Sequence, residues 1–145
     1  MELWRISNYV DLTGIGSSGA AGRWHSPGRR IVYLAYRPAI AFAEMTVYMD
    51  RDLIPSTYLL LRILLPDQTS IAGVKELPQD WRAQTMLTRQ IGDAWLDRSG
   101  SALLLVPSAI GQQGYNLLMN PMHPDAGKAK VTEIVRAPFD DRLFG

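Results

Sequence analysis

The chain has 145 residues, of which 47% are hydrophobic and 20% are charged, a composition typical of one soluble globular domain. Its 15 basic and 14 acidic residues give a formal net charge of +1, which argues against a general polyanion-binding surface. There is no cysteine, so disulfides, thiolate zinc sites and cysteine nucleophiles are excluded.

The first half of the chain predicts a strand, a loop, a second strand and a helix. Residues 3–7 predict a short strand, and residues 11–22 are a loop rich in Gly and Ser. Residues 31–36 are β-branched and aromatic, which predicts a strand. A helix over residues 38–50 follows, and its first residue is a proline, which the first helical turn accepts.

The second half predicts one helix among several strands. Residues 56–65 form a nearly continuous apolar run, which predicts a strand buried on both faces. The other predicted elements are strands at 71–74, 102–106, 116–119 and 130–135, a helix at 80–97 and a turn at 123–127. This mixed order predicts a single compact α+β domain over residues 1–145. The N-terminus lacks the features of a signal peptide, and every apolar run is too short to span a bilayer, so we expect a cytoplasmic protein.

Glu44 is the first candidate for chemistry, because it is the only charged residue between Arg37 and Asp50. Its neighbours on the predicted helix face are apolar or aromatic. A carboxylate in such surroundings is costly unless it is paired or faces a cleft. A structural salt bridge with a nearby arginine, or exposure at the helix edge, is the alternative interpretation.

Further candidates lie before and after this helix. Arg23 offers a rigid fork for phosphate oxygens, and Trp24 and His25 beside it offer rings, although a surface arginine packed on the tryptophan would look the same. Tyr33 is either a core tyrosine or a site residue. Ser108 ends a predicted strand without a GxSxG elbow, so a turn-capping hydroxyl is its default role. Two histidines without cysteine do not indicate a metal site.

Together these residues suit a dinucleotide. The arginines at 23, 29, 30 and 37 form a local basic patch that could hold a pyrophosphate. Aromatic side chains could pack against the rings, and the carboxylate could stabilise positive charge on a ribose whose glycosidic bond breaks.

The same motifs resemble a known family, the RES-domain toxins of Xre–RES type II toxin–antitoxin systems. The arginine, glutamate and serine that name the family match Arg23 in GRWHSPG, Glu44 in AFAE and Ser108 in VPSAIG. LWRIS supplies Arg5, and RRIVYLA supplies Tyr33. NLLMNPMHP and the closing FDDRLF resemble further family segments, so the likeness covers nearly the whole chain.

The resemblance implies a fold related to the ADP-ribosyltransferases of the diphtheria-toxin type, with NAD+ as substrate. It implies depletion of NAD+ by a glycohydrolase or phosphorylase reaction or, alternatively, ADP-ribosylation of a protein. No cofactor beyond NAD+ and no metal is implied, although inorganic phosphate is a candidate co-substrate. The implied partner is an Xre-type antitoxin that covers the active site and makes any contact with nucleic acid, and a homodimer is compatible with the family.

The resemblance also implies roles for individual residues. Arg23 would hold the NAD+ phosphates, and Tyr33 would pack against the nicotinamide or its ribose. Glu44 would stabilise an oxocarbenium-like transition state or orient the acceptor, and Ser108 would hydrogen-bond the ribose or nicotinamide side. Weaker candidates for contact with the substrate are Arg5, Trp24, His25 and Asn120.

Two other functions stay open at this stage. A ribonuclease-type toxin or RNA binder could use the basic segment 23–37, although the near-zero net charge and the lack of a catalytic histidine pair argue against it. A non-catalytic interaction module could use the same loop as a partner surface, and its effects on growth would survive Glu44→Ala.

Overall fold

In the computed structural model, residues 1–48, 57–111, 113–136, 138 and 140 are described. They form seven strands and two α-helices. The strands are β1 Glu2–Ser7, β2 Val32–Leu34, β3 Leu59–Leu64, β4 Ile71–Gly73, β5 Leu103–Pro107, β6 Tyr115–Met119 and β7 Lys130–Arg136. The helices are α1 Pro38–Tyr48 and α2 Thr85–Arg98, and short 3₁₀ helices occur at Ile15–Ser17, Trp81–Ala83 and Pro124–Lys128.

The strands make two sheets that meet along β1 and β2. One sheet has the antiparallel order β1-β3-β7, and the other has the order β2-β6-β5-β4, in which only the β4–β5 pair is parallel. Trp4 and Ala35 exchange two backbone hydrogen bonds of 2.8 and 2.9 Å, which join β1 to the end of β2. The α+β prediction is therefore confirmed, in the form of one body with two sheets.

The four-stranded sheet is buried on both faces, which explains the continuous apolar runs of β5 and β6. Alternate side chains enter two different clusters: Leu103 and Leu117 pack with Leu61 of the first sheet, whereas Leu104 and Leu118 pack with the tryptophans beside α2. A strand between two apolar layers loses the alternation of polar and apolar residues that marks a half-exposed strand.

The structure corrects the prediction for β3. Leu61 and Ile63 are fully buried, but Arg62 between them is half-buried and Leu64 is exposed. Since β3 is the middle strand of an antiparallel sheet, it needs only one apolar face. The leucine-rich run leads to a prediction of burial on both faces. That prediction is wrong because leucine also occurs on the solvent-exposed face of a strand.

The remaining differences concern element ends. The predicted second helix divides at Gln84 into a 3₁₀ turn and α2. The predicted strand at 31–36 is shorter in the structure, as β2. Predictions for residues 49, 50 and 56, and for the closing FDDRLF apart from Asp140, fall outside the described residues. No helix in the described part of the chain has the length and apolar character needed to cross a membrane.

Candidate active site

A cavity of about 510 Å³ opens where the two sheets, α1 and α2 approach one another. This volume lies in the range of pockets that bind small organic ligands. Most of its walls are apolar or aromatic, and a few charged and amide groups face it. The lining includes Trp4, Arg5, Gly22, Arg23, Trp24, Tyr33, Glu44, Tyr58, Arg89 and Asn116.

Glu44 projects from α1 into this cavity, and two side chains hold one of its oxygens. Glu44 Oε1 accepts a hydrogen bond of 2.7 Å from Ser108 Oγ and one of 2.6 Å from Asn116 Nδ2. The other oxygen, Oε2, accepts no hydrogen bond from the described residues, and none of the described arginines or lysines forms a salt bridge with this carboxylate. The carboxylate is therefore fixed at one oxygen and available at the other.

The β5–β6 pairing brings the two donors to Glu44. Val106 in β5 lies opposite Asn116 in β6, and Ser108 follows β5 directly. Ser108 Oγ also accepts the backbone N–H groups of Ile110 and Gly111, at 3.2 and 3.3 Å. The serine thus caps the turn after β5 and gives its own proton to Glu44, so its hydroxyl positions the glutamate and is not left over for a ligand.

Glu44 also borders a second, smaller cavity of about 290 Å³, which lies between α1 and residues near the end of β5 and the start of β6. Ser108 lines this second cavity together with Ile110 and Tyr115. Glu44 therefore stands between the two cavities, and Ser108 borders the smaller one.

Three arginines supply positive charge to the main cavity. Arg5 is only 8% exposed, and its Nη1 donates 3.0 Å to the backbone carbonyl of Asp11. Burial lowers the pKa of Arg5 while the nearby Asp11 charge opposes that shift, and an arginine stays charged under such a perturbation. Arg23 Nη1 donates 2.6 Å to the Arg82 carbonyl, and Arg89 Nε donates 2.8 Å to the Gly22 carbonyl. A cleft lined by cations attracts an anionic ligand.

Arg29, a member of the predicted basic patch, binds α2 and does not line the main cavity. Arg29 Nη2 lies 2.5 Å from Asp97 Oδ1 and also donates to the Asp93 backbone carbonyl. Asp93 in turn accepts the backbone N–H and the hydroxyl of Ser26. The segment that contains Ser26 and Arg29 is therefore bound to α2. Arg89 lines the main cavity, and Arg29 does not.

His25 stands behind Tyr33 and is not among the residues that line the cavity. His25 Nε2 lies 2.9 Å from both the Ser17 and Ala20 carbonyl oxygens, so it carries the ring proton. In the neutral ring, Nδ1 then accepts the Tyr33 hydroxyl proton across 2.7 Å. The Tyr33 oxygen also accepts the Trp24 N–H at 3.2 Å, so the histidine fixes Tyr33 as a wall of the cavity.

Tyr33→Phe is expected to destabilise the fold by about 1–3 kcal/mol, because it leaves His25 Nδ1 and the Trp24 N–H without these partners in a buried place. Urea unfolding followed by tryptophan fluorescence would measure the loss. Tyr115→Phe is the matched control, since that ring is 51% exposed and should lose little. Equal stability of the two variants would contradict the assigned hydrogen-bond chain.

Asn120 lies apart from the other candidates. It is 2% exposed, its Nδ2 donates to the Leu96 carbonyl at 3.3 Å, and its Oδ1 accepts the Met122 N–H at 3.0 Å. It links the end of β6 to α2 and is not among the residues that line either cavity. Trp24 does line the main cavity, with its ring centroid 5.9 Å from that of Trp81.

Arg89 and Asn116, which bring a charge and an amide group to the cavity, are not among the candidates that the sequence predicts. Both sit in ordinary positions of their elements, and only tertiary contacts bring them to the site. The described residues contain no cluster of three or more His, Asp or Glu side chains that could hold a metal ion.

Comparison with known proteins places this arrangement in context. A sequence model described as the RES domain matches residues 2–140. A protein named Toxin Res from Pseudomonas putida is 46% identical over 146 residues, covering 99% of this chain and 100% of that protein. The Prs ADP-ribosylating toxin of a Sphingobium species is 34% identical over 155 residues, covering 99% and 96%. Toxin Res from Photorhabdus laumondii is 37% identical over 152 residues, covering 99% and 97%.

Proposed function

This chain belongs to the RES domain family, and on that premise we propose that it is a toxin that cleaves the nicotinamide–ribose bond of NAD+. The observation that carries the proposal is the position of Glu44. Its carboxylate is held by Ser108 and Asn116 and borders a cavity that is also lined by arginines and aromatic rings. That combination suits a ligand with an anionic diphosphate and two ring systems.

The reaction needs little acid catalysis. When the bond between C1′ and the pyridinium nitrogen breaks, its electron pair moves to the nitrogen and nicotinamide leaves as a neutral molecule. Positive charge then develops on the ribose, and the free Oε2 of Glu44 is the negative group available to stabilise it. The arginines grip the diphosphate and orient the sugar toward the carboxylate, so binding energy is converted into positioning.

The acceptor in the proposed reaction is water or inorganic phosphate. The alternative, transfer of ADP-ribose to a protein, is supported by the relative named as a Prs ADP-ribosylating toxin. Each route uses the same C1′–N cleavage and differs in what captures the sugar. We further propose that the two sheets form a fold of the ADP-ribosyltransferase type, and that an Xre-type antitoxin covers the cavity in the cytoplasm. A homodimer of this chain is compatible with that arrangement.

Product analysis tests the function directly. Purified protein incubated with NAD+, with and without phosphate, should release nicotinamide together with ADP-ribose or its 1″-phosphate. Labelled NAD+ added to a cell lysate would reveal transfer to protein. NAD+ that stays intact under all these conditions, with no labelled protein, would refute the proposal. RNA cleavage at constant NAD+ would favour the ribonuclease alternative.

Arg23→Gln is expected to raise the KM for NAD+ by about tenfold or more, since a charge-assisted contact with the diphosphate is lost. Steady-state kinetics would separate this effect from any change in kcat. Arg98→Gln is the control, because Arg98 is exposed in the last turn of α2 and does not line the cavity. A larger effect of Arg98→Gln than of Arg23→Gln would contradict the role given to Arg23.

A further inference from the structure

Asn116 has one end of its amide engaged, and the other end has no hydrogen-bond partner among the described residues. Its Nδ2 donates to Glu44 Oε1 across 2.6 Å. Its Oδ1 is buried and accepts no hydrogen bond from any residue that the structure describes. The residue lines the main cavity beside Glu44. A buried carbonyl oxygen without a donor is rare in folded proteins and requires an explanation.

The glutamate fixes the orientation of this amide. Rotation of the amide by half a turn would place Oδ1 against Glu44 Oε1, and two acceptors cannot share a hydrogen bond. The lone oxygen is therefore not the result of exchanged amide atoms. Oδ1 has no donor among the described residues because Asn116 must turn its Nδ2 toward the Glu44 carboxylate to donate a hydrogen bond.

We propose that a hydroxyl group of the nicotinamide-bearing ribose supplies the missing donor, an inference that rests on the proposed function. Asn116 Oδ1 accepts this hydroxyl while Nδ2 continues to hold Glu44. A single rigid amide then connects the carboxylate to the sugar whose C1′ becomes positively charged. Asn116 is thus a positioning residue for Glu44 and a binding residue for the ribose.

A ribose hydroxyl suits the position better than the carboxamide of nicotinamide. The two amide atoms of Asn116 share one carbon, so Oδ1 lies close to the glutamate that faces the sugar. The ribose hydroxyls are adjacent to the reacting carbon, whereas the carboxamide lies across the pyridinium ring. Ser108 cannot take this role, because its proton goes to Glu44 and its oxygen accepts two backbone N–H groups.

NAD+ analogues that lack the 2′- or the 3′-hydroxyl of the nicotinamide ribose test the contact. For one analogue, kcat/KM of the wild type should fall by at least about tenfold more than that of Asn116→Ala. Deleting a hydroxyl also changes the intrinsic lability of the bond, so the comparison between the two proteins is what isolates the hydrogen bond. Asn116→Ser provides the same comparison should the alanine variant fail to fold.

A second measurement needs no variant. Adding ADP-ribose to the wild-type protein should shift the side-chain amide resonances of Asn116 in a ¹⁵N–¹³C NMR spectrum. The amide of Asn8 is the internal control, because its Oδ1 is bound by the Thr57 hydroxyl at 2.8 Å and it does not line the main cavity. A shift at Asn116 alone supports the contact.

The outcomes separate this inference from the proposed function. Equal penalties for both analogues in the wild type and in Asn116→Ala, or an Asn116 resonance that does not respond to ADP-ribose, would overturn the ribose contact while NAD+ cleavage stands. A wild type that leaves NAD+ intact would overturn the function on which the contact rests.

Discussion

Glu44→Gln is expected to reduce NAD+ cleavage by about 10²–10³-fold and to leave the fold intact, an effect comparable to removing one preorganised electrostatic group from an active site. A glutamine can keep its carbonyl oxygen at the place of Oε1, where it still accepts from Ser108 and Asn116. Only the negative charge at the free end is lost. Because that charge acts on the developing cation, the loss should appear mainly in kcat.

The control for this change is Glu76→Gln. Glu76 is exposed and does not line either cavity, so its variant should match the wild type in rate. Unfolding midpoints of both variants should lie close to that of the wild type. Full NAD+ cleavage by Glu44→Gln would show that the carboxylate is not the group that stabilises the sugar. Growth inhibition that persists in this variant without NAD+ loss would point to an interaction module.

Sequence reasoning reaches Glu44 because a single carboxylate among apolar helix residues is conspicuous. It identifies Ser108 at the end of a predicted strand, with turn capping as the default role of its hydroxyl, and the family motif adds a ligand contact. In the structure, the Ser108 hydroxyl donates its proton to Glu44. Which donor pairs with Glu44 depends on how α1, the end of β5 and β6 meet in space. The local periodicity of the sequence does not encode this arrangement.

Asn116 and Arg89 are residues of the cavity that the sequence alone does not indicate. An asparagine near the start of a short strand and an arginine in a polar helix look ordinary in the sequence. Asn116 gains its role from the β5–β6 register, and Arg89 from a contact with Gly22, 67 residues earlier in the chain. Arg29 is the opposite case. The sequence suggests that it binds a phosphate, but in the structure it forms a salt bridge with Asp97 of α2.

The architecture was easier to predict than the burial of its parts. Strands and helices follow from composition and turn residues, and the α+β class follows from their order. Whether an apolar strand has one or two covered faces depends on the layers around it. Strand β5 of the four-stranded sheet and strand β3 of the three-stranded sheet have similar leucine-rich sequences. However, β5 has an apolar cluster on each face, whereas β3 has an exposed residue at Leu64.

Gly92 in α2 controls how closely this helix approaches the segment that carries Arg23 and Trp24. A Cβ atom at Gly92 would lie 1.7 Å from the Trp24 carbonyl oxygen and 2.7 Å from its carbonyl carbon. Both atoms belong to the backbone and cannot rotate away. Thr88, one turn earlier on the same buried face, donates its hydroxyl proton to the Arg23 carbonyl at 2.5 Å. The helix and the segment are therefore in direct backbone contact.

Gly92→Ala should consequently destabilise the protein by about 3 kcal/mol or more, the upper end of the cost of forcing extra volume into a packed site. The sign is informative, because at an exposed helix position the same change would stabilise by about 1 kcal/mol through helix propensity. Urea unfolding followed by tryptophan fluorescence measures the difference. Gly100→Ala is the control, since nothing lies within 4 Å of a Cβ at that residue.

The same substitution connects stability to the site. Moving α2 outward to admit a methyl group would also move the Arg89 contact with the Gly22 carbonyl and the Thr88 contact with Arg23, so two of the cavity's arginines would shift together. Any Gly92→Ala protein that folds should therefore bind NAD+ more weakly even though Gly92 does not line the cavity. Wild-type stability and wild-type KM in this variant would contradict the close packing of α2 on Trp24.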